Sequence, residues 1–243
     1  RRQRQMCIRD SGEAAREPGD LDFVVVPDDW GIDDDRTAAL FDGIPRAVQH
    51  AAEESGSGIR LSAEEAVSDD IWTYDRVPGR RLVLPWSAPG LPGGQVQIDF
   101  VFNEKLPKGI MTTPVPVLGT TPVPALGGDR EGAPLQTVTP ELSLAWKVMW
   151  LVNDSYPQGK DLYDAVLLAE RHPLPYEQLA EVFRLSGEWP CANRQEVRLE
   201  DLAEIIEYIE WDDFIAEYPH VDATAQEYFG RLVDAVTPTF ARS

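Results

Sequence analysis

The N-terminal half of the chain consists of short apolar runs separated by turn-forming residues, a pattern typical of β-strands. Residues 21–27 (LDFVVVP) contain a β-branched run that ends at a proline, and two aspartates follow it. This pattern predicts a short buried strand. A Pro-Gly turn is predicted within 75–81, followed by a strand over 82–86. Residues 95–102 (QVQIDFVF) alternate polar and apolar side chains and predict a third strand.

A helix is predicted over 35–54, because Ala, Leu, Phe, Ile and Val recur there on one helical face. Pro45 is expected to bend this helix. The segment 106–136 has a different composition, rich in Pro, Gly and Thr, and contains the near-repeat TTPVPVLGTTPVPALGG. Since proline forbids a regular helix or a central strand, this segment predicts an extended connection between two domains.

The C-terminal half has a helical period that begins at Thr139, which is predicted to cap a helix with Pro140 in its first turn. The apolar stripe of this helix consists of Leu142, Ala145, Trp146, Met149 and Trp150. Further helices are predicted over 160–171, 175–186, 199–217 and 222–235. The second half is therefore expected to be a helical bundle.

These patterns predict an α+β chain with a helix-bearing β-sheet domain over 12–105, a connection over 106–136 and a helical domain over 137–243. Residues 1–11 (RRQRQMCIRDS) stand apart, because they hold four arginines and one aspartate in a chain of net charge −20. This composition is typical of a non-native leader, the alternative being a basic disordered arm. If the leader is non-native, the natural N-terminus is missing.

Charge and cysteine content exclude several classes of protein. A net charge of −20 argues against a broad groove for nucleic acid. Cys7 and Cys191 lie far apart, which excludes a disulfide framework or a thiolate zinc site and fits a reducing compartment. No stretch approaches the roughly 18 to 20 apolar residues of a membrane span. We therefore expect a cytoplasmic protein with no membrane association.

Three aspartates are the main candidates for chemistry. Asp20 and Asp22 lie at the start of the first predicted strand, where alternate side chains point to the same side. Asp99 belongs to the third predicted strand, so a third carboxylate would join the pair if the two strands are neighbours. Mg²⁺ prefers oxygen ligands, typically one or two carboxylates with substrate phosphates. The three aspartates therefore predict a two-metal site for phosphoryl displacement.

Two further features bear on phosphate binding, and one alternative stays open. Gly19 leaves space for a phosphate to approach the backbone. Arg80 and Arg81 follow the predicted turn and could meet a triphosphate, although a solvated pair is the favoured interpretation. The alternative for the aspartates is that they only cap strand ends or face solvent; the order of strand, helix and two further strands favours the metal site.

The segments GDLDFVVV, IDFVF, LAWKVMWL and GKDLYDAVLL together resemble the AbiEii/AbiGii-toxin nucleotidyltransferase family, over residues 13–172. The resemblance implies a mixed-sheet, polymerase-β-like nucleotidyltransferase domain followed by a helical bundle, with the active site in the cleft between them. It also implies the residues of the site. The family's DxD pair corresponds to Asp20 and Asp22, its later-strand carboxylate to Asp99, its helical lysine to Lys147, and its charged (K/R)DLYD element to Lys160, Asp161 and Asp164.

The helical residues of this set each have two interpretations. Lys147 would act as a point charge on nucleotide phosphates; the alternative is an exposed lysine whose stem lies along apolar surface. Asp161 or Asp164 would orient Lys147 or the nucleotide, with Lys160 as a further nucleotide-binding cation. The alternative is a surface ion pair of Lys160 and Asp164, worth at most about 1 kcal/mol.

The activity implied by the resemblance is Mg²⁺-dependent transfer of a nucleotidyl group from an NTP to an acceptor hydroxyl, with the 3′ end of a tRNA as the candidate acceptor. The family context implies a toxin of a type IV toxin–antitoxin or abortive-infection system, with a cognate antitoxin as partner. One alternative is a protein or small-molecule acceptor, because RNA-binding surfaces carry clustered Lys and Arg. Another is an inactive module that binds a nucleotide or a partner.

One part of the family pattern has no match in this chain. Nucleotidyltransferases of this fold usually carry a Gly-Ser turn before the DxD pair, which holds the nucleotide phosphates, whereas Ser11-Gly12 has the reverse order. We expect the turn to belong to the missing natural N-terminus. Activity is therefore expected of the completed protein rather than of the chain as it stands.

Overall fold

The computed structural model describes residue 16 and the ranges 21–73, 77–107, 113–115 and 135–241. The described residues fall into two compact units. One is a sheet unit within 17–105, and the other is a helical unit that combines Arg16 with the described residues from Leu106 onwards. The predicted mixed α+β class with a C-terminal helical bundle is confirmed.

The sheet unit contains one helix and five strands in the described ranges. They are β1 (Leu21–Val24), α1 (Asp35–Ser55), β2 (Arg60–Leu61), β3 (Val67–Thr73), β4 (Val77–Ala88) and β5 (Leu91–Val101), with a short 3₁₀ turn at Ala63–Glu65. The strand order is β1-β5-β4-β2, and β3 also pairs with β4. Strand β1 is parallel to β5, and the other pairs are antiparallel, so the sheet is mixed.

Alternation along the strands gives the sheet an apolar face and a polar face. Ile98, Phe100 and Phe102 belong to the buried core of this unit, and Phe41 and Ile44 of α1 pack against that core. Alternate residues of a strand point to opposite sides, so the odd-numbered positions of β5 lie on the other face. Helix α1 is capped by Asp34, whose carboxylate accepts from the Arg36 N–H, and Pro45 lies within the helix.

The Pro-Gly turn predicted within 75–81 is wrong. Strand β4 begins at Val77 and includes both Pro78 and Gly79, which pair with Trp72 and Ile71. A Cβ on Gly79 would lie 2.8 Å from the Phe100 carbonyl oxygen, so glycine is present because the strands approach closely rather than because the chain turns. The separate reversal from β4 into β5 occurs around Gly90, whose φ of 79° suits glycine.

The helical unit contains six α-helices and one 3₁₀ helix in its described part, with one small two-stranded sheet. These elements are β6 (Thr113–Val115), β7 (Leu135–Thr137), α2 (Pro140–Asn153), α3 (Gly159–Ala169), α4 (Tyr176–Ser186), α5 (Leu199–Ala203), the 3₁₀ helix Ile205–Tyr208, α6 (Trp211–Glu217) and α7 (Ala225–Phe240). Strands β6 and β7 pair antiparallel. They form a pair that is separate from the five-stranded sheet, so the described residues of 106–136 add no strand to that sheet.

Helix α2 is the buried centre of this unit. Thr139 caps it as predicted, since its hydroxyl oxygen accepts from the Leu142 N–H at 3.3 Å. Every residue from Leu142 to Leu151 is buried, so the predicted apolar stripe is in fact part of an almost completely enclosed helix. Lys147 lies in the middle of this enclosed stretch. Its environment is therefore decided by neighbouring helices rather than by solvent.

The single helix predicted over 199–217 is divided into three short pieces. Tertiary hydrogen bonds interrupt it at Glu210, whose N–H donates to the Pro157 carbonyl oxygen at 2.9 Å and whose carbonyl oxygen accepts from the Gly159 N–H at 3.2 Å. Backbone groups engaged in this way are not available for i to i−4 helical bonding. In the described part of the chain, no helix is both long and apolar enough to cross a membrane.

Candidate active site

Strands β1 and β5 bring Asp22 and Asp99 to neighbouring positions. The two residues are direct partners in the parallel register, as are Leu21 with Ile98 on one side and Phe23 with Phe100 on the other. Register partners on adjacent strands are about 4.8 Å apart and point to the same face of the sheet. Since Ile98 and Phe100 face the core, the two carboxylates share the opposite face, as the sequence predicts for Asp99.

Gly19 and Asp20 lie outside the described residues. The structure therefore places two of the three predicted metal ligands. Within the described ranges, no three His, Cys, Asp or Glu side chains are grouped closely enough to hold a metal ion. Two carboxylates on one face are nevertheless the donor set that Mg²⁺ uses together with substrate phosphates. The residues present fit such an ion, and their role as ligands stays a prediction.

Arg81 occupies the next position of the same row, on β4. Its register partner is Asp99, so Asp22, Asp99 and Arg81 lie side by side across three strands. The guanidinium donates from Nε to Asp99 Oδ1 and from Nη2 to Oδ2, both at 2.8 Å. The Gln97 side chain lies beside this pair, and with its carbonyl oxygen turned to Arg81 it accepts from Nη2 at 3.1 Å.

The interpretation of Arg80 and Arg81 as a solvated pair is wrong. As consecutive strand residues they point to opposite faces, and each has its own carboxylate partner. Arg80 donates from Nε to Asp70 at 2.7 Å, and its guanidinium lies over the Phe41 ring of α1. Of these two arginines, only Arg81 lies on the face of the sheet that bears Asp22 and Asp99.

Four charged side chains are buried together in the helical unit. Lys147 Nζ lies 2.7 Å from Asp161 Oδ1 and 3.2 Å from Asp164 Oδ2. Arg16 binds the other side of Asp164 with a two-pronged contact, Nε to Oδ1 at 2.9 Å and Nη2 to Oδ2 at 2.5 Å. Two cations and two anions balance, which removes most of the cost of enclosing unpaired charge.

The contacts of this cluster show that two alternative interpretations are wrong, the exposed lysine and the surface ion pair. Lys147 is 1% exposed, so it is not a surface lysine. Asp164 is fully buried and pairs with Arg16 and Lys147, so a surface ion pair with Lys160 does not describe it. Asp161 and Asp164 both contact Lys147, as expected if they orient it. Lys160 itself is half-buried at the start of α3.

The contacts of this cluster shift the pKa of Asp161 and of Arg16 towards the charged forms. Burial raises the pKa of Asp161, but the charge and hydrogen bond of Lys147 outweigh that effect and hold it well below its usual range. Burial lowers the pKa of Arg16, and the hydrogen bonds and charge of Asp164 more than compensate for it. Both shifts favour the charged forms of Asp161 and Arg16.

Sequence reasoning missed Arg16. It lies 148 residues from Asp164 and outside every predicted element. A charge count is the one signal that could have found it: Lys147 alone cannot neutralise two buried aspartates, so a second cation is needed. That signal depends on knowing that both aspartates are buried, which the helical pattern around them does not show.

The fold is that of an α+β protein with two carboxylates in register on one face of a mixed sheet and a helical unit that encloses a lysine. The sequence matches the family described as nucleotidyl transferase AbiEii toxin, type IV TA system, over residues 7–235. This match covers nearly the whole chain, and the chain belongs to that family of nucleotidyltransferase toxins.

Among solved structures, the nucleotidyltransferase toxin MenT4 from Mycobacterium tuberculosis H37Rv is similar to this chain, with 13% sequence identity and a TM-score of 0.46. The alignment covers 83% of this chain and 66% of MenT4. A comparison with curated proteins finds no match. The family assignment therefore depends on the family match itself.

Proposed function

We propose that the protein transfers a nucleotidyl group from an NTP to an acceptor hydroxyl, with Mg²⁺ held by Asp20, Asp22 and Asp99. The observation that supports this most is the parallel register that pairs Asp22 with Asp99 on the polar face of the sheet. Asp20 precedes Asp22 by two residues in the sequence and would add a third carboxylate. Gly19 would leave room for a phosphate beside the backbone.

The proposed transfer is a single displacement at the α-phosphorus of the NTP. An oxygen–phosphorus bond forms between the acceptor hydroxyl and the α-phosphorus, the bond to the bridging oxygen breaks, and its electron pair leaves with pyrophosphate. Bound Mg²⁺ supplies charge neutralisation for the triphosphate and a lower pKa for the attacking hydroxyl. Asp99 accepts the hydroxyl proton, and Asp22 lies beside it on the polar face.

The helical unit holds a cation whose orientation is fixed. Asp161 and Asp164 orient the ammonium group of Lys147, which is enclosed with them among the helices. The two contacts of Lys147, at 2.7 and 3.2 Å, support the orienting role of both carboxylates.

The acceptor proposed first is the 3′ end of a tRNA, in keeping with a toxin that arrests growth. A protein or small-molecule acceptor is the second candidate, and the net charge of −20 favours it, because an acidic protein attracts RNA weakly. Both candidates use the same chemistry at the aspartates.

The test is incubation of the full-length protein and Mg²⁺ with each α-labelled NTP, in the presence of bulk tRNA or of total protein. Label in the tRNA would support the first acceptor, and label in the protein fraction the second. If the protein is folded and binds NTP but neither fraction becomes labelled, the proposed transfer is contradicted. The remaining candidate is then the inactive module that binds a nucleotide. Asp22→Asn is the matched inactive variant.

A further inference from the structure

We propose that Arg81 is an exchangeable counter-charge, which neutralises Asp99 before the substrate binds and moves to the triphosphate when the metal–nucleotide complex arrives. This inference rests on the proposed function, because it takes Asp22 and Asp99 as the metal ligands. It assigns to Arg81 a specific effect: the site should disfavour a free divalent cation and favour a cation that arrives with its nucleotide.

The geometry of the pair is the first argument. Arg81 and Asp99 meet in the side-on, two-pronged arrangement, with both contacts at 2.8 Å. This arrangement engages both oxygens of the carboxylate that the proposed ion would need. The side chain of Asp99 is 11% exposed, whereas that of Arg81 is 38% exposed, so the cation is the more accessible partner. Arg81 can therefore leave towards solvent while Asp99 stays in the sheet.

Electrostatics supplies the second argument. Asp22 and Asp99 are register partners, and two carboxylates so close together repel each other. Arg81 offsets this repulsion when no other cation is present. A free Mg²⁺ ion would meet a guanidinium next to its ligand and would be repelled by it. A metal–triphosphate complex carries a net negative charge, so it provides a new partner for the guanidinium as the metal takes the carboxylates.

The chemistry of arginine suits both positions. A guanidinium makes two parallel hydrogen bonds to a carboxylate or to a phosphate with the same donor geometry. Exchange from Asp99 to a phosphate thus replaces one pair of charge-assisted hydrogen bonds with another. A lysine could keep the charge at this position but not the two-pronged contact.

Arg80 provides a matched control within the same strand. It is also paired with an aspartate, Asp70, at 2.7 Å, but it points to the opposite face of the sheet. Replacing Arg80 removes one arginine and one ion pair from β4 without changing the polar face that bears Asp22 and Asp99.

The experiment measures two affinities for the wild type, Arg81→Gln, Arg81→Lys and Arg80→Gln. The first is the affinity for Mn²⁺ alone, followed by electron paramagnetic resonance of the free ion. The second is the affinity for Mg²⁺ with the α,β-methylene analogue of each NTP, which binds but cannot transfer. We expect Arg81→Gln to bind Mn²⁺ roughly five- to tenfold more tightly and the analogue about tenfold more weakly, as for loss of one partly exposed charge.

The conservative and control variants complete the pattern. Arg81→Lys should keep the Mn²⁺ affinity of the wild type and lose part of the analogue affinity, because the charge remains and the two-pronged contact does not. Arg80→Gln should change neither. A residue with a merely structural role would weaken both affinities together, so shifts of opposite sign distinguish the exchange from general damage.

Two outcomes overturn the inference. One is an Arg81→Gln protein whose two affinities are unchanged or fall together. The other, which decides the matter if Arg81→Gln does not fold, is an Arg81→Lys protein that binds the analogue as well as the wild type does. Failure of the proposed function gives a different result. In that case Asp22→Asn, which keeps Arg81, binds Mn²⁺ with the same affinity as the wild type.

Discussion

Asp164 shows how strongly single residues depend on distant partners in this protein. It is fully buried, and its two oxygens are shared between Arg16 and Lys147. Removing one partner of a buried ion pair leaves a charge that neither water nor protein satisfies. The burial of this cluster makes stability, as well as any activity, sensitive to each of its four residues.

The first residue-scale prediction concerns Arg16. Replacing it with methionine should lower the free energy of unfolding by about 3–5 kcal/mol, because Asp164 keeps only one cation. Urea unfolding measures the change. Arg231→Met is the matched control: Arg231 makes the same two-pronged contact with Glu170, at 2.7 and 2.9 Å, but on the surface. Its loss should cost less than about 1 kcal/mol, and equal effects would contradict the role of burial.

The second residue-scale prediction concerns acid stability. The pKa of Asp161 is lowered in the folded protein, so the folded state binds fewer protons than the unfolded state once the pH approaches the unfolded value of about 3.9. The stabilisation is complete above that value and is lost as the pH falls below it.

Urea unfolding at pH 5, 4 and 3 checks this expectation, with Asp161→Asn for comparison. The variant is expected to be less stable than the wild type at pH 5, because Lys147 loses one of its two carboxylates. Its stability should also fall less steeply between pH 4 and 3, because position 161 no longer titrates there. Parallel slopes for the two proteins would show that Asp161 does not carry the effect.

At the scale of elements, the register of β1 against β5 decides which side chains meet. Strand β1 is only four residues long, and a slip of one residue would move Asp22 to the apolar face. The pairing of Leu21 with Ile98 and of Phe23 with Phe100 opposes that slip, because it buries apolar side chains on one face. The apolar pattern therefore places the acidic residues.

The element-scale prediction uses two glycines with opposite surroundings. Gly79→Ala in β4 should destabilise the protein by about 1–3 kcal/mol, because the new Cβ would lie 2.8 Å from the Phe100 carbonyl oxygen. Gly43→Ala in α1 should stabilise the protein by about 0.5–1 kcal/mol, because no atom lies within 4 Å of the new Cβ and alanine has a higher helix propensity than glycine. Thermal unfolding of both variants provides the measurement, and shifts of the same sign would contradict it.

Elements were predictable where local pattern and tertiary structure agree. The cap at Thr139 and the three helices up to Ser186 depend on nearby residues, and the sequence predicts them closely. The Pro-Gly pair at 78–79 and the break at Glu210 were not predictable, because strand approach and hydrogen bonds to 157–159 override the local signal. Both failures arise from contacts with parts of the chain that a local pattern does not include.

At the scale of the whole molecule, the two-part organisation follows from a change of composition. The alternating pattern precedes the proline-rich segment 106–136 and the helical period follows it, and the chain passes from the sheet unit to the helical unit between Lys105 and Leu106. Arg16 is the exception, since it belongs to the helical unit although it precedes β1 in sequence. Its role depends on a contact across most of the chain, which no sequence pattern encodes.

The candidate site was predictable to the extent that its residues share a motif or a strand pattern. Asp22 and Asp99 follow from strand alternation, and their meeting follows once β1 and β5 are known to be neighbours. Arg81 was not predictable as their partner, because its position depends on the register of β4 with β5. Family membership identifies the class of protein, and the strand register places two of the predicted ligands beside each other.

The central claim is that Asp22 and Asp99 bind one divalent cation together, and Mn²⁺ binding to the folded protein tests it most directly. Binding is expected for the wild type, with a loss of at least tenfold in affinity for Asp22→Asn and for Asp99→Asn. Asp70→Asn, on the opposite face of the sheet, should bind as the wild type does. Equal Mn²⁺ affinity in the wild type and in a folded Asp22→Asn protein would contradict the claim.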